Sequence, residues 1–136
     1  MNRPARRVAS LPGKWKRAPR DFLAAAQQAR AQHDSARAAA LFARLEREFP
    51  NDTTVRLLAI ESLVSDRDDG RAALVALARF PVRADDRRLQ LRIGFLKADA
   101  YVAVGKPDSA RVVLQQLGNA FPDMQQRIKE RLKNVQ

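Results

Sequence analysis

Three Phe-Pro pairs constrain the fold of this chain most, because each follows a stretch of apolar residues with helical spacing. They are Phe49-Pro50, Phe80-Pro81 and Phe121-Pro122. The residue before a proline is disfavoured in the α conformation, so a helix tends to end there. The pairs therefore predict three helices that end in the same way, each being the second helix of a helix hairpin.

The composition favours an all-α fold. Ala, Leu, Arg and Gln, which are strong helix formers, are abundant among the 136 residues, whereas glycine is scarce. A chain of this length can bury a core as one domain. From Asp21 onward, apolar residues recur at helical spacing and predict seven helices joined by short turns.

These helices are predicted to form a solenoid of three antiparallel hairpins, followed by a terminal helix that covers the last apolar face. The hairpins are expected at about 21–50, 52–81 and 85–122, and the capping helix at 123–135. Asp123 is expected to cap this last helix, and Gly105 to end the fifth helix. Residues 1–20 contain three prolines and little helical periodicity, so they are predicted to form an extended arm.

The net charge of +11 is concentrated in this arm. Residues 1–20 hold seven basic side chains and no acid, so the rest of the chain carries only +4. The arm could contact RNA or an anionic membrane surface through these charges and its tryptophan. Alternatively, it could be a solubilising tail, or its tryptophan could fold back over the first hairpin. The residues concerned are Arg3, Arg6, Arg7, Lys14, Trp15, Lys16, Arg17 and Arg20.

No catalytic or metal-binding pattern is apparent in the sequence. There is no cysteine, and the one histidine, His33, falls in a predicted turn, so neither a zinc site nor a His-based triad is expected. The run from Asp66 to Gly70 lacks the ligand spacing and the glutamate of a calcium loop. Gly105-Lys106 is followed by a proline where a phosphate loop needs Ser or Thr. We therefore expect neither enzyme activity nor a cofactor.

The apolar runs are shorter than the roughly 18 residues that cross a bilayer. Prolines interrupt the N-terminal segment, where a signal peptide needs an apolar stretch. The sequence therefore predicts a cytoplasmic protein without a transmembrane segment. A third alternative is that the chain is a stable piece of a longer protein, with the arm as a linker.

Two segments share one pattern of small and apolar residues, and they lie 72 positions apart. The later one comprises Ala98, Tyr101, Gly105, Ala110, Leu114, Leu117 and Pro122, and the earlier one Ala26, Ala29, Ala38, Phe42, Leu45 and Pro50. The pattern resembles the tetratricopeptide repeat, a helix hairpin of about 34 residues, and the resemblance covers about residues 20–122. The Phe-Pro endings look like those of bacterial members involved in envelope assembly. In the middle copy, Ala73 and Pro81 are eight positions apart rather than twelve, so its second helix is expected to be shorter.

The resemblance implies that the first helices of the hairpins line a concave groove. Ala38 and Ala110 would be buried where two helices approach closely. In this family, ligand contact comes from positions that correspond here to Gln27, Arg30, Arg56, Ile60, Arg92, Phe95, Asp99 and Val102. Phe95 is expected either to anchor a ligand or to pack against the seventh helix or a neighbouring repeat.

The function that this resemblance implies is that of a non-catalytic adaptor, which binds a peptide or a helix of a partner protein in the groove. The alternative follows from the charge of the arm. It is a basic accessory subunit of a nucleoprotein particle, in which the arm contacts RNA and the helical body acts as a spacer.

Overall fold

The computed structural model describes residues 12–135, with side chains described from residue 21 onward. Within residues 12–135 all regular elements are helical and none is a strand, which confirms the predicted all-α class. Seven α-helices and a short 3-10 helix follow one another along this part of the chain. Their bounds are α1 Pro12–Ala31, α2 Ser35–Glu48, α3 Thr53–Ser65, α4 Gly70–Ala78, α5 Arg87–Ala103, α6 Pro107–Ala120, the 3-10 helix Pro122–Met124 and α7 Gln125–Lys133.

The chain divides into two compact units, one ending at Ser62 and the other beginning at Leu63. In the first unit, α1 packs against α2. In the second, α4 packs against α5, α5 against α6, and α6 against α7. Because short turns join α1 to α2 and α5 to α6, each of these two pairs is an antiparallel hairpin.

The helices α2 and α6 are equivalent elements, 72 positions apart. Each has fourteen residues and is followed directly by the phenylalanine of a Phe-Pro pair, whose N–H donates to the carbonyl of Leu45 or Leu117. Ala38 and Ala110 occupy the same place in the two helices and are fully buried, as expected. The shorter spacing of the middle copy is also reflected in the structure, since α4 has only nine residues.

The turns that follow α1 and α5 are equivalent as well. In each, the second residue after the helix has a positive φ, which is 61° at His33 and 77° at Gly105. The next N–H, of Asp34 or Lys106, donates to the carbonyl five residues earlier, over 2.9 Å and 2.8 Å respectively. These bonds satisfy carbonyls at the end of a helix. Glycine adopts this conformation at no steric cost, whereas the Cβ of histidine crowds the backbone.

We expect His33→Gly to raise the free energy of unfolding by about 0.5–1 kcal/mol, because it removes this steric cost at an exposed position. The reciprocal change in the equivalent turn, Gly105→His, is the control and should lower it by a similar amount. Urea denaturation followed by circular dichroism measures both. A destabilised His33→Gly variant would show that the conformation at residue 33 is not the one described.

Each unit contains its own apolar cluster. The buried members of the first are Ala26, Ala29, Ala38, Phe42, Leu45, Val55 and Leu58. Those of the second are Ala98, Ala110, Leu114, Leu117 and Ile128. Ile128 belongs to α7, and Leu132 of the same helix packs against the second cluster, so α7 covers apolar surface of the α5–α6 hairpin.

The first helix begins earlier than predicted, at Pro12, so residues 12–20 are helical and the expectation of an extended arm is wrong there. Proline is well tolerated at the first helical position, where its missing N–H would have no intrahelical partner. The Lys, Arg and Ala residues that follow favour a helix. Pro19 lies within α1 and removes one hydrogen bond without ending the helix. The rest of the predicted arm, residues 1–11, lies outside the described residues.

The expectation that Asp123 caps the last helix is also wrong. Asp123 lies in the 3-10 helix, and α7 begins at Gln125 without a side-chain cap. Its carboxylate instead accepts a hydrogen bond from the guanidinium of Arg87, at the start of α5. This bond lowers the pKa of Asp123, since it favours the charged form. A tertiary ion pair has therefore taken the place of a local cap.

We expect Arg87→Ala to raise the pKa of Asp123 toward its ordinary value of 3.8, because the hydrogen bond from Arg87 is the main cause of the lowering. Since the pKa is lower in the folded state, the pair stabilises the fold at pH values above the ordinary pKa of 3.8. This contribution to stability is lost as the pH falls through the lowered pKa. An NMR titration of the Asp123 carboxyl measures the shift. Arg88→Ala, one residue away, should leave it unchanged. Equal pKa values in Arg87→Ala and in the unmodified chain would contradict the pairing.

Candidate partner-binding site

One side of α5 carries four of the residues that the repeat pattern associates with ligand contact. Helical spacing places Arg92, Phe95, Asp99 and Val102 on the same side, together with Arg88. All except Phe95 are exposed. Val102 is 44% exposed, which is unusual for a large apolar side chain in this structure. This side of α5 therefore presents both charge and apolar surface to solvent.

The helix α7 lies beside this side of α5. Arg131 donates to the Asp99 carboxylate over 2.7 Å, and its guanidinium lies 4.8 Å from the centre of the Phe95 ring. Arg127, one turn earlier on α7, lies 5.6 Å from the same ring. Just beyond the end of α7, Val135 borders the same depression as Val102. Because later residues of α7 meet later residues of α5, the two helices run in the same direction.

These two helices together form what we call the α5–α7 face. It consists of Arg88, Arg92, Phe95, Asp99 and Val102 of α5, with Arg127 and Arg131 of α7 and Val135 just beyond the end of α7. Its concave part is a small depression of about 140 Å³ between the two helices. The depression is lined by Ala98, Asp99, Val102, Leu114, Arg131, Asn134 and Val135.

Phe95 packs against the seventh helix, which is the second of the two alternatives expected for it. Its ring is partly buried against the second apolar cluster, and the guanidinium groups of Arg127 and Arg131 lie over it. The physical reason is that α7 buries Ile128 against α6, and so brings its two arginines onto the ring. A guanidinium over an aromatic ring is a favourable cation–π arrangement. Phe95 therefore supports the face and orients its arginines.

In the first unit, the predicted contact residues differ in accessibility. Gln27 is exposed, and Arg56 is half-buried. Arg30 donates to the Glu61 carboxylate over 2.9 Å, and its guanidinium lies 4.8 Å from the centre of the Phe42 ring. Ile60 is only 5% exposed, so the expectation that it contacts a partner is wrong. It lies in α3, where burial extends to several sides of the helix.

A second concave surface lies between α5 and α6, away from the α5–α7 face. It is a cleft of about 340 Å³, bordered mainly by Ile93, Gly94, Val113, Leu117 and Ala120. Among the residues whose side chains are described, Lys97 is the one charged residue that lines it. Gln90, at its edge, donates to the carbonyls of Arg83 and Ala84, so its amide holds the preceding loop. None of the predicted contact residues lies in this cleft.

The predicted basic arm contributes no described side chain. Arg3, Arg6 and Arg7 lie outside the described residues, and the structure describes only the backbone from Lys14 to Arg20. Among the residues it does describe, no three His, Asp or Glu side chains are grouped so as to hold a metal ion. Over the same residues, no helix combines the length and the apolar character needed to cross a membrane.

Sequence reasoning missed Arg88 of α5 and the C-terminal half of the site, namely Arg127, Arg131 and Val135. A signal was present, because two copies 72 positions apart imply a repeat of 36 residues, and Asp123 lies 36 positions after Arg87. The start of α7 thus lies about one repeat length after the start of α5. Treating residues 123–135 as the first helix of a further copy would have placed Arg127 and Arg131 beside α5.

No protein-family model matches this chain, and no curated protein or solved structure matches it either.

Proposed function

We propose that this chain is a non-catalytic adaptor, which binds a peptide or a helix of a partner protein on the α5–α7 face. One observation carries the proposal. Asp99 and Val102, which the repeat pattern associates with ligand contact, line a depression together with Arg131 and Val135. A concave surface that combines exposed apolar and charged side chains is typical of a site that binds a peptide.

The equivalence of the two hairpins supports the resemblance to the tetratricopeptide repeat on which the proposal draws. The helices α2 and α6 have equal length, and the turns after α1 and α5 have the same hydrogen bonds. The parallel course of α5 and α7 is what a stack of such hairpins requires of two successive first helices. In such a stack the first helices form the ligand-binding surface, which here is the α5–α7 face.

Photo-cross-linking from the depression tests this proposal. A photoreactive amino acid replaces Val102 in the full chain, and in a second variant it replaces Val112, which lies on α6 and is similarly exposed at 50%. In cells of the source organism, we expect a discrete protein adduct from position 102 and none from position 112. Equal adducts from both positions, or none from position 102, would contradict the proposal.

The charge of +7 in residues 1–20 supports a second candidate function, in which the chain contacts RNA through these residues. The seven cations can neutralise at most seven phosphates. The slope of log affinity against the log of the salt concentration should therefore be no steeper than about −6 on duplex DNA, and shallower on single-stranded nucleic acid. A full-length variant with glutamine at all seven positions should then lose nucleic-acid binding. It should retain the adduct from position 102 if the α5–α7 face is the functional surface.

A further inference from the structure

We propose that the α5–α7 face recognises a segment with acidic side chains at one end and an aliphatic side chain at the other. This inference rests on the proposed function and specifies the chemistry of the partner. It follows from how charge and apolar surface are distributed along α5, from Arg88 near its start to Val102 near its end.

The first half of the face is strongly basic. Arg88 and Arg92 are exposed and one helical turn apart on α5. Arg127 lies over the Phe95 ring, which keeps its guanidinium at this end of the face. The only acid of the face is Asp99, and Arg131 donates a hydrogen bond to it. The four arginines and one aspartate of the face therefore sum to +3, which attracts carboxylates and repels basic segments.

The second half of the face is apolar. Val102 is exposed and faces the same depression as the half-buried Val135. At about 140 Å³, the depression is smaller than the roughly 300–1,000 Å³ typical of cofactor and drug-sized pockets. Its size and lining therefore suit one aliphatic side chain of a partner. Burying such a side chain against Val102 removes apolar surface of both molecules from water.

The geometry of α5 fixes the spacing between these two halves. Arg92 and Val102 are ten positions apart on one straight element, which corresponds to about 15 Å along the helix axis. A helical partner would cover this distance in about ten residues, and an extended one in about four or five. The partner segment therefore needs its acidic group and its aliphatic residue separated by about 15 Å.

The same features disfavour nucleic acid as the occupant. Proteins that bind single strands combine cations with exposed aromatic rings on which bases stack. Here the Phe95 ring lies under two guanidinium groups. Asp99 and Val102 would in addition place a carboxylate and an apolar side chain along the path of the phosphates.

A peptide selection on the full chain tests this inference. Random peptides of about sixteen residues, which can span 15 Å even when helical, are displayed on phage and selected on the immobilised protein. Selected peptides are then synthesised, and their dissociation constants are measured against single variants of the full chain. Arg88→Glu and Val102→Asp change the two halves of the face. Lys129→Glu changes an exposed charge on α7 that helical spacing directs away from Arg127. Circular dichroism verifies that each variant is folded.

We expect acidic residues to be enriched in the selected peptides, with an aliphatic residue at the spacing given above. Arg88→Glu should weaken their binding by about tenfold or more, and Lys129→Glu by less than about twofold. A peptide with lysine in place of its key acid should regain affinity for the Arg88→Glu variant. The binding of a single-stranded RNA of random sequence, if any is measured, should be the same for the unmodified chain and for Arg88→Glu.

The outcomes separate this inference from the proposed function. Peptides that lose binding with Val102→Asp but show no acidic preference would overturn the inference and leave the adaptor function standing. RNA binding that Arg88→Glu abolishes would also overturn it. Failure to select any peptide, or peptides that bind all the variants equally well, would overturn both.

Discussion

Phe42→Ala is expected to lower the free energy of unfolding by about 3–5 kcal/mol, the usual cost of truncating a buried phenylalanine. The Phe42 side chain is 1% exposed and belongs to the apolar cluster of the first unit. Its removal leaves a cavity between α1 and α2, and it also removes the ring beneath the Arg30 guanidinium. A loss of this size is a large fraction of the roughly 5–15 kcal/mol by which domains are stable.

Urea denaturation of the full chain measures this loss, with Glu46→Ala as the control. Glu46 is exposed on the same helix, so its truncation should change the stability by no more than about 0.5 kcal/mol. If Phe42→Ala costs less than about 1 kcal/mol, then Phe42 is not in the core of a packed hairpin, and the description of the first unit is wrong.

Leu114→Ala is expected to cost about 2–5 kcal/mol. Leu114 is fully buried in the second cluster, which includes Ala110 of the same helix and Ile128 of α7. It also lines the depression of the α5–α7 face. Its truncation therefore has two consequences, because it removes packing beneath α7 and deepens the depression in which a partner side chain would lie.

Val112→Ala is the matched control for this variant, since Val112 lies on the same helix and is 50% exposed. Its effect should stay within about 0.5 kcal/mol. The two variants are compared by urea denaturation. Equal losses of stability would mean that α6 does not bury the side on which Leu114 lies, and the assignment of the second cluster would then fail.

Most helix boundaries could be predicted because local chemistry determines them. Asp34 and Asp86 each accept a hydrogen bond from a backbone N–H of the first helical turn, and Pro107 begins α6. Gly105 has the positive φ with which α5 ends. Each of these signals acts over a few residues, so the sequence alone reveals it.

The two errors at helix ends have different physical causes. Residues 12–20 were predicted to be extended because two of the arm's three prolines fall among them, yet Pro12 is at a position that tolerates proline. Asp123 has a side chain that can cap a helix, but its carboxylate is paired with Arg87 instead. No local rule foresees that pairing, because the two residues are distant in sequence.

The candidate site could be predicted only in part, for the same reason. The resemblance to a known repeat identified four of the five α5 members of the face, which share one side of a single helix, but it did not identify Arg88. The contribution of Arg127 and Arg131 depends on where α7 packs, which is a tertiary property. The burial of Ile60 is tertiary as well, and its place in the repeat pattern gave no indication of it.

The central claim, that the α5–α7 face binds a partner protein, is tested most directly by one affinity measurement. The partner cross-linked from position 102 is purified, and its dissociation constant is measured for the full chain and for the variants Val102→Asp and Val112→Asp. We expect Val102→Asp to raise the dissociation constant by about tenfold or more, which corresponds to about 1.4 kcal/mol, and Val112→Asp to leave it unchanged. Equal dissociation constants for the two variants would contradict the claim.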